Sequence, residues 1–295
     1  MIVRKNERVL IQGITGKQGT FWAQQMRDYG TVVIGGVNPK KAGETHLDLP
    51  VWGCAVDAAE SLRDMDDKID VSILFIPPMG VKAAALDAIE AGIKKLVVLT
   101  EHVPVQDTMY VLAAADDAGA QVLGPNTAGA VTPGECFAGF MPAFNERVFK
   151  PGNVGVVSRS GSLGTLVCLN LVQAGLGISA FVGIGGDPII GTTTADALRL
   201  LDQDERTEAI ALVGEIGGTM EEDAAEYAAG MTKPIAAFIA GSASPPGKKM
   251  GHAGAIVLGD RGSYASKKAA LEDAKVEVMP TPAGIARTLA YRILA

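Results

Sequence analysis

The feature that most constrains this fold is the regular alternation of short apolar runs with segments of helical periodicity. Runs such as VSILFI and LVVL are almost continuously apolar, which is typical of parallel strands covered on both faces. In the first part of the chain, the predicted strands are residues 8–13, 31–37, 70–77, 95–100 and 121–124. The predicted helices between them are residues 18–29, 81–91 and 108–118. Such alternation predicts a doubly wound α/β fold.

A segment rich in proline and glycine interrupts this pattern, which then starts again. The second series has predicted strands at 153–158, 179–183, 209–214, 235–240 and 276–279, and helices at 163–174, 194–202, 221–229, 264–274 and 282–294. A chain of 295 residues suits two domains of roughly 150 residues each. The predicted division is residues 1–125, a linker or boundary at 126–152, and residues 153–295.

Composition excludes several classes of protein. The net charge of −7 argues against a nucleic-acid-binding protein, which needs a basic face. The three cysteines, Cys54, Cys136 and Cys168, form no CxxC pair, so neither a disulfide framework nor a zinc site is expected. Because the charged N-terminus leads directly into a strand and no long apolar run occurs, we expect a cytoplasmic protein. We also expect no metal site.

The first strand-to-helix turn, QGITGKQGTF, has the glycine spacing of an anion site. Gly13, Gly16 and Gly19 let the backbone approach a ligand at the N-terminus of the next helix. The spacing matches neither a Walker A loop nor GxGxxG, and a turn without a ligand also fits. At the end of the next strand, Lys40 and Lys41 stand where NAD sites carry an acid, which favours a ligand with an extra phosphate, such as NADP or coenzyme A (CoA).

The second domain holds a further candidate site. Its first turn, SRSGSL, offers Ser160, Gly161 and Ser162 at a helix start, which suits either an anion site or an ordinary N-cap. His252 lies in a loop of small residues, and Glu215 ends a strand at the edge where open sheets bind ligands. A carboxylate that accepts Nδ1–H leaves Nε2 of an imidazole nucleophilic, which is the arrangement that a phosphohistidine needs.

These segments resemble, in family order, the alpha subunits of succinate–CoA ligase and its malate–CoA ligase relatives. The matching text includes QGITGKQGTF, GGVNPKKAGETH, GPNTAG, SRSGSL, GIGGDP, GEIGG and GKKMGHAGAI, and the matches cover essentially the whole chain. The resemblance implies an N-terminal Rossmann-like CoA-binding domain followed by a flavodoxin-like doubly wound domain. It also implies that His252 is the phosphohistidine and that Glu215 is its partner.

The resemblance implies two groups of binding residues. The CoA contacts would be Thr15, Gly16, Lys17, Gln18, Gly19, Lys41, Pro77, Leu99, Thr100, Glu101 and Asn126. The phosphate and substrate contacts would be Ser160, Gly161, Ser162, Thr165, Gly185 and Gly186.

The implied reaction joins a small carboxylic acid to CoA through phosphohistidine and an acyl phosphate. Phosphorylation turns a carboxylate oxygen into a leaving group, and phosphohistidine carries the phosphoryl group between two places. The resemblance further implies that ATP or GTP with Mg²⁺ binds an ATP-grasp domain on a separate beta subunit. The expected assembly is therefore αβ or (αβ)₂.

Three positions depart from the family pattern. Thr165 stands where succinate enzymes carry a tyrosine, Thr127 replaces a cysteine, and His102 replaces a glycine. The expected acid is therefore a relative of succinate, such as malate or a sulfonated acid.

Two other classes of function remain open from the sequence. One is a regulatory protein that binds CoA or a nucleotide without catalysis, which has no need of GHAGA beside GEIGG. The other is an NADP oxidoreductase, which needs a hydride-transfer constellation that the second domain does not show.

Overall fold

Two seven-stranded sheets, each flanked by helices, form the computed structural model of the chain. It describes residues 1–63, 67–245, 251–257 and 261–294. The two sheets confirm the predicted fold class. Of the helices that the structure describes, none combines the length and apolar character needed to cross a membrane.

The first sheet is formed by residues up to Leu123. Its strands are β1 (Arg8–Gln12), β2 (Val32–Val37), β3 (Thr45–His46), β4 (Leu49–Trp52), β5 (Val71–Leu74), β6 (Lys95–Val98) and β7 (Gln121–Leu123). Its helices are α1 (Lys17–Tyr29), α2 (Ala55–Arg63), α3 (Val81–Glu90) and α4 (Val105–Asp117). The order is β3-β4-β2-β1-β5-β6-β7, with only β3 antiparallel to its neighbour. This is the Rossmann order, in which the direction of winding changes between β1 and β5.

The second sheet contains strands β8 (Gly129–Thr132), β9 (Cys136–Gly139), β10 (Pro151–Ser158), β11 (Ile178–Gly183), β12 (Ala209–Glu215), β13 (Ile235–Ala240) and β14 (Glu277–Met279). Its helices are α5 (Gly161–Gln173), α6 (Thr194–Gln203), α7 (Met220–Ala228), α8 (Tyr264–Asp273) and α9 (Pro282–Leu294). The order is β14-β13-β12-β10-β11-β8-β9. Its five parallel strands follow the flavodoxin-like order, with the change of winding between β10 and β12.

The segment 126–152, predicted to be a linker, instead supplies two strands of the second sheet. β8 pairs antiparallel with β11 and with β9. A Cβ atom on Gly129 would lie 2.0 Å from the carbonyl oxygen of Ala138, and one on Gly139 would lie 2.2 Å from that of Ala128. The glycines that resemble a linker in sequence are therefore required for close strand pairing.

The same segment joins the two sheets. Thr31, which precedes β2, donates a hydrogen bond through Oγ1 to the carbonyl of Phe137 in β9 (2.8 Å) and accepts one from its N–H (3.0 Å). The ring of Phe137 also contacts Trp22 and Tyr29 of α1, at centroid distances of 6.3 and 5.6 Å. One apolar core therefore extends from α1 into the second sheet.

Elements between residues 45 and 63 were not predicted. The two-residue β3, the four-residue β4 and α2 lie there. β3 and β4 are too short to show a clear period, and Pro50 within β4 weakens the strand pattern in the sequence.

Candidate functional site

The β1–α1 turn is shaped by two close backbone approaches. Gly13 has a φ of +80°, and a Cβ there would lie 2.4 Å from the carbonyl oxygen of Phe75. A Cβ on Gly19 would lie 2.2 Å from the carbonyl oxygen of Gly13. Gly19, predicted to contact CoA, is thus a buried packing residue that brings α1 against the turn.

The N-terminus of α1 is open. Gly16 is its N-cap residue and supplies no side-chain hydrogen bond, so the first backbone N–H groups of the helix point outward without a side-chain cap. Gly16, Lys17 and Gln18 are exposed there. Uncapped N–H groups and the positive end of the helix dipole favour an anion.

Polar side chains from the segment that follows β2 border this turn. Asn38 donates a hydrogen bond from Nδ2 to Oγ1 of Thr15 (2.6 Å), which orients that hydroxyl. The Lys41 side chain is half-exposed, and its Nζ lies 3.6 Å from Glu44. Lys41 is therefore a cation at the rim with freedom to move toward a ligand.

Beside the turn lies an apolar cavity of about 510 Å³. It is lined by Gln18, Trp22, Leu74, Phe75, Ile76, Pro77, Leu99, Thr100 and Phe140. Four of these residues belong to the predicted CoA contacts, whereas Glu101 is not among them. The pocket opens at the carboxyl ends of β5 and β6, next to the change of winding in the first sheet.

Trp22 and Phe140 were missed by the sequence interpretation. Trp22 lies one helical turn after Gln18 and donates from Nε1 to its Oε1 (3.1 Å), so helical spacing contained a signal. Phe140 follows β9, and its ring centroid lies 6.3 Å from that of Trp22. Its position depends on the unpredicted strand and had no local signal.

Asn126 connects the edges of the two sheets. Its backbone N–H donates to the carbonyl of Thr100 (2.9 Å), and its Nδ2 donates to Oδ1 of Asp187 (2.9 Å). Its carbonyl accepts from the N–H of Gly186 (3.2 Å). A residue predicted to bind CoA thereby also holds the loop after β11.

The second site centres on His252 and Glu215, which the structure brings together. Glu215 is the last residue of β12, and His252 lies in the loop that follows β13. Nδ1 of the imidazole is 2.8 Å from Oε2 and 3.0 Å from Oε1 of the carboxylate. Because a carboxylate only accepts, Nδ1 carries the proton, and in the neutral ring the free lone pair is on Nε2. Residues 247–250 of the GKKMGHAGAI motif lie outside the described residues.

The imidazole packs directly on the loop after β11. A Cβ on Gly186 would lie 2.4 Å from Cγ of His252, so only glycine leaves room for the ring. Gly185 has a φ of +108°, and a Cβ there would lie 2.3 Å from the carbonyl oxygen of Pro125. Both residues were predicted to be phosphate or substrate contacts, and both shape the backbone beside the imidazole.

The pKa of His252 is raised above 6.5, first by its hydrogen bond to Glu215. The negative charges of Glu215 and Asp187 act in the same direction. Burial of the half-buried ring and the positive charge of Arg159 oppose them. The site therefore stabilises the imidazolium form, with Arg159 as a counterweight.

A cavity of about 340 Å³ adjoins the imidazole. It is lined by Ser160, Ser162, Leu163, Glu215, Ile216, Ala240, Gly241, Gly251, His252 and Ala255. The cavity thus lies at the carboxyl ends of β10, β12 and β13, at the change of winding in the second sheet.

The N-terminus of α5 opens into this cavity. Ser160 is the N-cap and accepts from the N–H of Leu163 at 3.4 Å, and its hydroxyl lies 3.3 Å from that of Ser162. Gly161 begins the helix, and a Cβ there would lie 2.9 Å from Cβ of Ala128. Two hydroxyls and a helix N-terminus thus line the same cavity as His252.

The positions that depart from the family pattern lie outside this cavity. The hydroxyl of Thr165 donates to the carbonyl of Gly161 within α5 (2.8 Å), and Thr165 does not line the cavity. The buried Thr127 donates to the carbonyl of Gly183. His102 is exposed, with a φ of +63°.

Within the described residues, no group of three or more His, Cys, Asp or Glu side chains is arranged to hold a metal ion. His46, the remaining histidine, lies 2.8 Å through Nε2 from Oγ1 of Thr20.

Two family models match the chain. Residues 4–102 match the CoA binding domain and residues 157–277 match the CoA-ligase domain. The chain is 45% identical over 281 residues to subunit alpha 1 of the ADP-forming succinate–CoA ligase of Archaeoglobus fulgidus, covering 95% of this chain and 94% of that one. It is 41% identical over 293 residues to a subunit of the ADP-forming sulfoacetate–CoA ligase of Bilophila wadsworthia, covering 98% of each.

Solved structures share the fold. ATP citrate lyase from Methanothrix soehngenii, in complex with citrate and coenzyme A, matches with a TM-score of 0.90 at 24% identity, over 100% of this chain and 51% of that chain. This chain thus spans about half the length of that enzyme. The dinucleotide-forming acetyl-coenzyme A synthetase 1 of Ca. Korarchaeum cryptofilum, in complex with phosphate and ADP, matches with a TM-score of 0.71 at 24% identity, over 94% and 58%.

Proposed function

The chain belongs to the ADP-forming CoA ligase family as an alpha subunit, and from this premise we propose that His252 carries a phosphoryl group from a nucleotide to a small carboxylic acid. The observation that carries the proposal is the 2.8 Å contact between Nδ1 of His252 and Glu215 at the mouth of a cavity. This contact fixes the tautomer in which Nε2 is the nucleophile.

The first sheet is proposed to hold CoA. The uncapped N-terminus of α1 suits its phosphates, and the apolar cavity beside it suits an uncharged part of the molecule. The proposed contacts are Thr15, Gly16, Lys17, Gln18, Lys41, Pro77, Leu99, Thr100, Glu101 and Asn126, with Trp22 and Phe140 added from the structure. Bound CoA supplies the thiol that becomes the thioester.

The proposed reaction begins at Nε2 of His252. Nε2 bonds to the terminal phosphorus of the nucleotide, and the nucleoside diphosphate leaves. A carboxylate oxygen of the acid then takes the phosphoryl group from Nε2, giving an acyl phosphate and restoring the imidazole. The thiol sulfur of CoA finally bonds to the acyl carbon of the acyl phosphate. The thiol loses its proton, and phosphate leaves.

Ser160, Ser162 and the N-terminus of α5 are proposed to hold the phosphoryl group during transfer. They face the same cavity as the imidazole. Backbone N–H groups and hydroxyls already in place stabilise negative charge without reorganising during the reaction. Thr165 is proposed to act only indirectly, through the first turn of α5.

The nucleotide, ATP or GTP with Mg²⁺, is proposed to bind an ATP-grasp domain on a beta partner, in an αβ or (αβ)₂ assembly. Relatives of this chain are subunits of succinate–CoA ligases, which supports a partner chain. The two cavities described in this chain are assigned to CoA and to the phosphoryl group, and the nucleotide is assigned to the partner.

The acid is proposed to be a small carboxylate with a second anionic group that is related to succinate, such as malate or a sulfonated acid; succinate itself is the third acid to be compared. Relatives are named for succinate and for sulfoacetate at similar identity, 45% and 41%. Product formation with CoA and ATP across a panel of these three acids, using the αβ complex, identifies the preferred one. A clear preference for succinate would contradict the expectation drawn from Thr165.

The test of the central step is covalent labelling. Incubating the αβ complex with γ-³²P-ATP is expected to label the alpha chain with an acid-labile, base-stable phosphate. His252→Asn should abolish the label, whereas His102→Asn, which changes an exposed histidine, should retain it. Label persisting in His252→Asn refutes the proposal, and CoA binding without any label favours the regulatory alternative.

A further inference from the structure

Beneath the imidazole lies a cluster of buried charges, of which the proposed steps use only Glu215. Its members come from the β10–α5 turn, the end of β12, and the first turns of α7 and α8. They are Arg159, Glu215, Glu221, Glu222 and Lys267, and each side chain is at most 9% exposed. Burying an ion costs several kcal/mol unless partners compensate it, so the arrangement of these charges needs a reason.

Arg159 sits at the centre of this buried cluster. Its Nη2 lies 3.3 Å from Oε1 of Glu215, and its Nη1 donates to the carbonyl of Gly217 (3.1 Å). Nη1 also lies 3.7 Å from Oε1 of Glu221. The planar guanidinium thus bridges the carboxylate that faces His252 and the charges behind it.

Glu221 and Lys267 support this bridge from behind. They form a fully buried ion pair, and Nζ of Lys267 donates to the same carbonyl of Gly217 (2.8 Å). Oε1 of Glu221 accepts the backbone N–H of Glu215 (3.2 Å). Glu215 is therefore held through its backbone by Glu221 and through its side chain by Arg159 and His252.

The formal charges of the buried cluster do not balance by themselves. Two cations face three carboxylates, so an imidazolium at His252 would bring the sum to zero. The charged groups that face the imidazole are Glu215 on β12, Asp187 after β11, and Arg159. Among these charges only Arg159 opposes protonation, as burial of the ring also does, and a phosphoryl acceptor needs an unprotonated Nε2.

Resting on the function proposed above, we propose that Arg159 is a positioning residue for phosphoryl transfer. It aims the Glu215 carboxylate at Nδ1 of His252, and its positive charge limits how strongly that carboxylate stabilises the imidazolium form. The Glu221–Lys267 pair fixes Arg159 in the geometry that does both.

Two variants of the full-length chain test this role. Arg159→Met removes the charge and the bridge. Arg159→Lys keeps the positive charge, but one ammonium cannot span Glu215 and the Gly217 carbonyl as the guanidinium does. Arg292→Met, which breaks an exposed arginine–carboxylate pair between α9 and β14, is the matched control.

The readouts are an NMR pH titration of His252 and labelling by phosphoramidate, a small donor that phosphorylates imidazole without a partner chain. In Arg159→Met, the titration midpoint of His252 should move to higher pH. Labelling at pH 7 should fall about 10- to 100-fold, by analogy with the loss seen when the residue that orients a metal-ligating histidine is removed. Arg159→Lys should lose the low-field resonance of the hydrogen-bonded Nδ1–H and label slowly, while Arg292→Met should match the parent.

If both Arg159 variants have the titration midpoint and the labelling rate of the parent, the positioning role is refuted. If Arg159→Met does not fold, an unchanged labelling rate in Arg159→Lys is enough to refute the positioning role. A parent chain that takes no phosphoryl group at His252 contradicts the proposed function instead, and the NMR titration still decides whether Arg159 controls the imidazole.

Discussion

Replacing Gly186 by alanine should disable His252 without unfolding the protein. A Cβ at this position would lie 2.4 Å from Cγ and 2.7 Å from both Cδ2 and Nδ1 of the imidazole. Ordinary contacts of a Cβ begin near 3.4 Å, so the ring must move by about 1 Å. A shift of that size takes Nδ1 out of hydrogen-bonding distance of Glu215.

The expected cost is large for the reaction and small for the fold. A misplacement of about 1 Å in a reacting group costs roughly 100-fold in rate, or about 2.7 kcal/mol of activation free energy. Because His252 lies in a half-buried loop at the edge of the sheet, the displaced ring can turn toward solvent. The melting temperature should therefore stay within a few degrees of the parent.

The assay compares phosphorylation rates of Gly186→Ala and the parent, using phosphoramidate on the alpha chain and γ-³²P-ATP on the αβ complex. Gly230→Ala is the matched control, because a Cβ there meets only the carbonyl oxygen of Tyr227 at 3.7 Å. A folded Gly186→Ala chain that is phosphorylated at the parental rate would refute the argument that this glycine makes room for the imidazole.

Three further predictions concern charge, ligand binding and stability. The pKa of His252 is raised above 6.5, first by its hydrogen bond to Glu215. Labelling of Nε2 should therefore increase as the pH rises through this higher pKa. Glu215→Gln should shift the pH profile of labelling to lower pH. The same sign means that the His252–Glu215 pair stabilises the fold at pH values below the unfolded pKa, and that this contribution is lost as the pH rises through the folded pKa. Trp22→Ala should raise the Kd for CoA roughly tenfold by removing an aromatic wall of the cavity, as measured by calorimetry. Lys267→Met removes the ion-pair partner of the buried Glu221 and should lower the free energy of unfolding by about 3–5 kcal/mol in urea denaturation.

Each of these predictions has an opposing result, and the last two have a control variant. An unchanged labelling profile in Glu215→Gln would show that the carboxylate does not set the protonation of the imidazole. Tyr291→Ala, which removes an exposed ring from α9, should leave the affinity for CoA unchanged. If Trp22→Ala binds CoA as tightly as the parent does, CoA does not bind in this cavity. Arg292→Met, which breaks an exposed ion pair, should cost less than about 1 kcal/mol; a similarly small loss in Lys267→Met contradicts the buried network.

The local features of the fold were readable from the sequence. Apolar runs such as VSILFI mark buried parallel strands because both faces of such a strand are covered. Glycine-rich turns after strands mark places where a backbone must approach closely, and the steric fit at Gly13 and Gly186 is consistent with this reading. Each of these signals spans only a few residues, so no partner from elsewhere in the chain is needed to interpret it.

Other features depended on which distant segments meet. The glycines of residues 126–152 resemble a linker until Gly129 and Gly139 are seen to lie against each other in paired strands. Phe140 reaches the apolar cavity only because β9 packs against α1. Arg159 and Lys267 look like solvated charges in the sequence, and only the packing of α7 and α8 buries them together.

Most of the strands and helices, the positions of the turns and the residue types available for chemistry were predictable from the sequence, because these follow from short-range periodicity and backbone sterics. The folded structure was needed to establish the short strands that the pattern missed, the distances at which His252 and Glu215 meet across 37 residues of chain, and the burial of five charges in one space. Pairing energies and burial depend on three-dimensional neighbours, and a linear pattern of residues does not specify those neighbours.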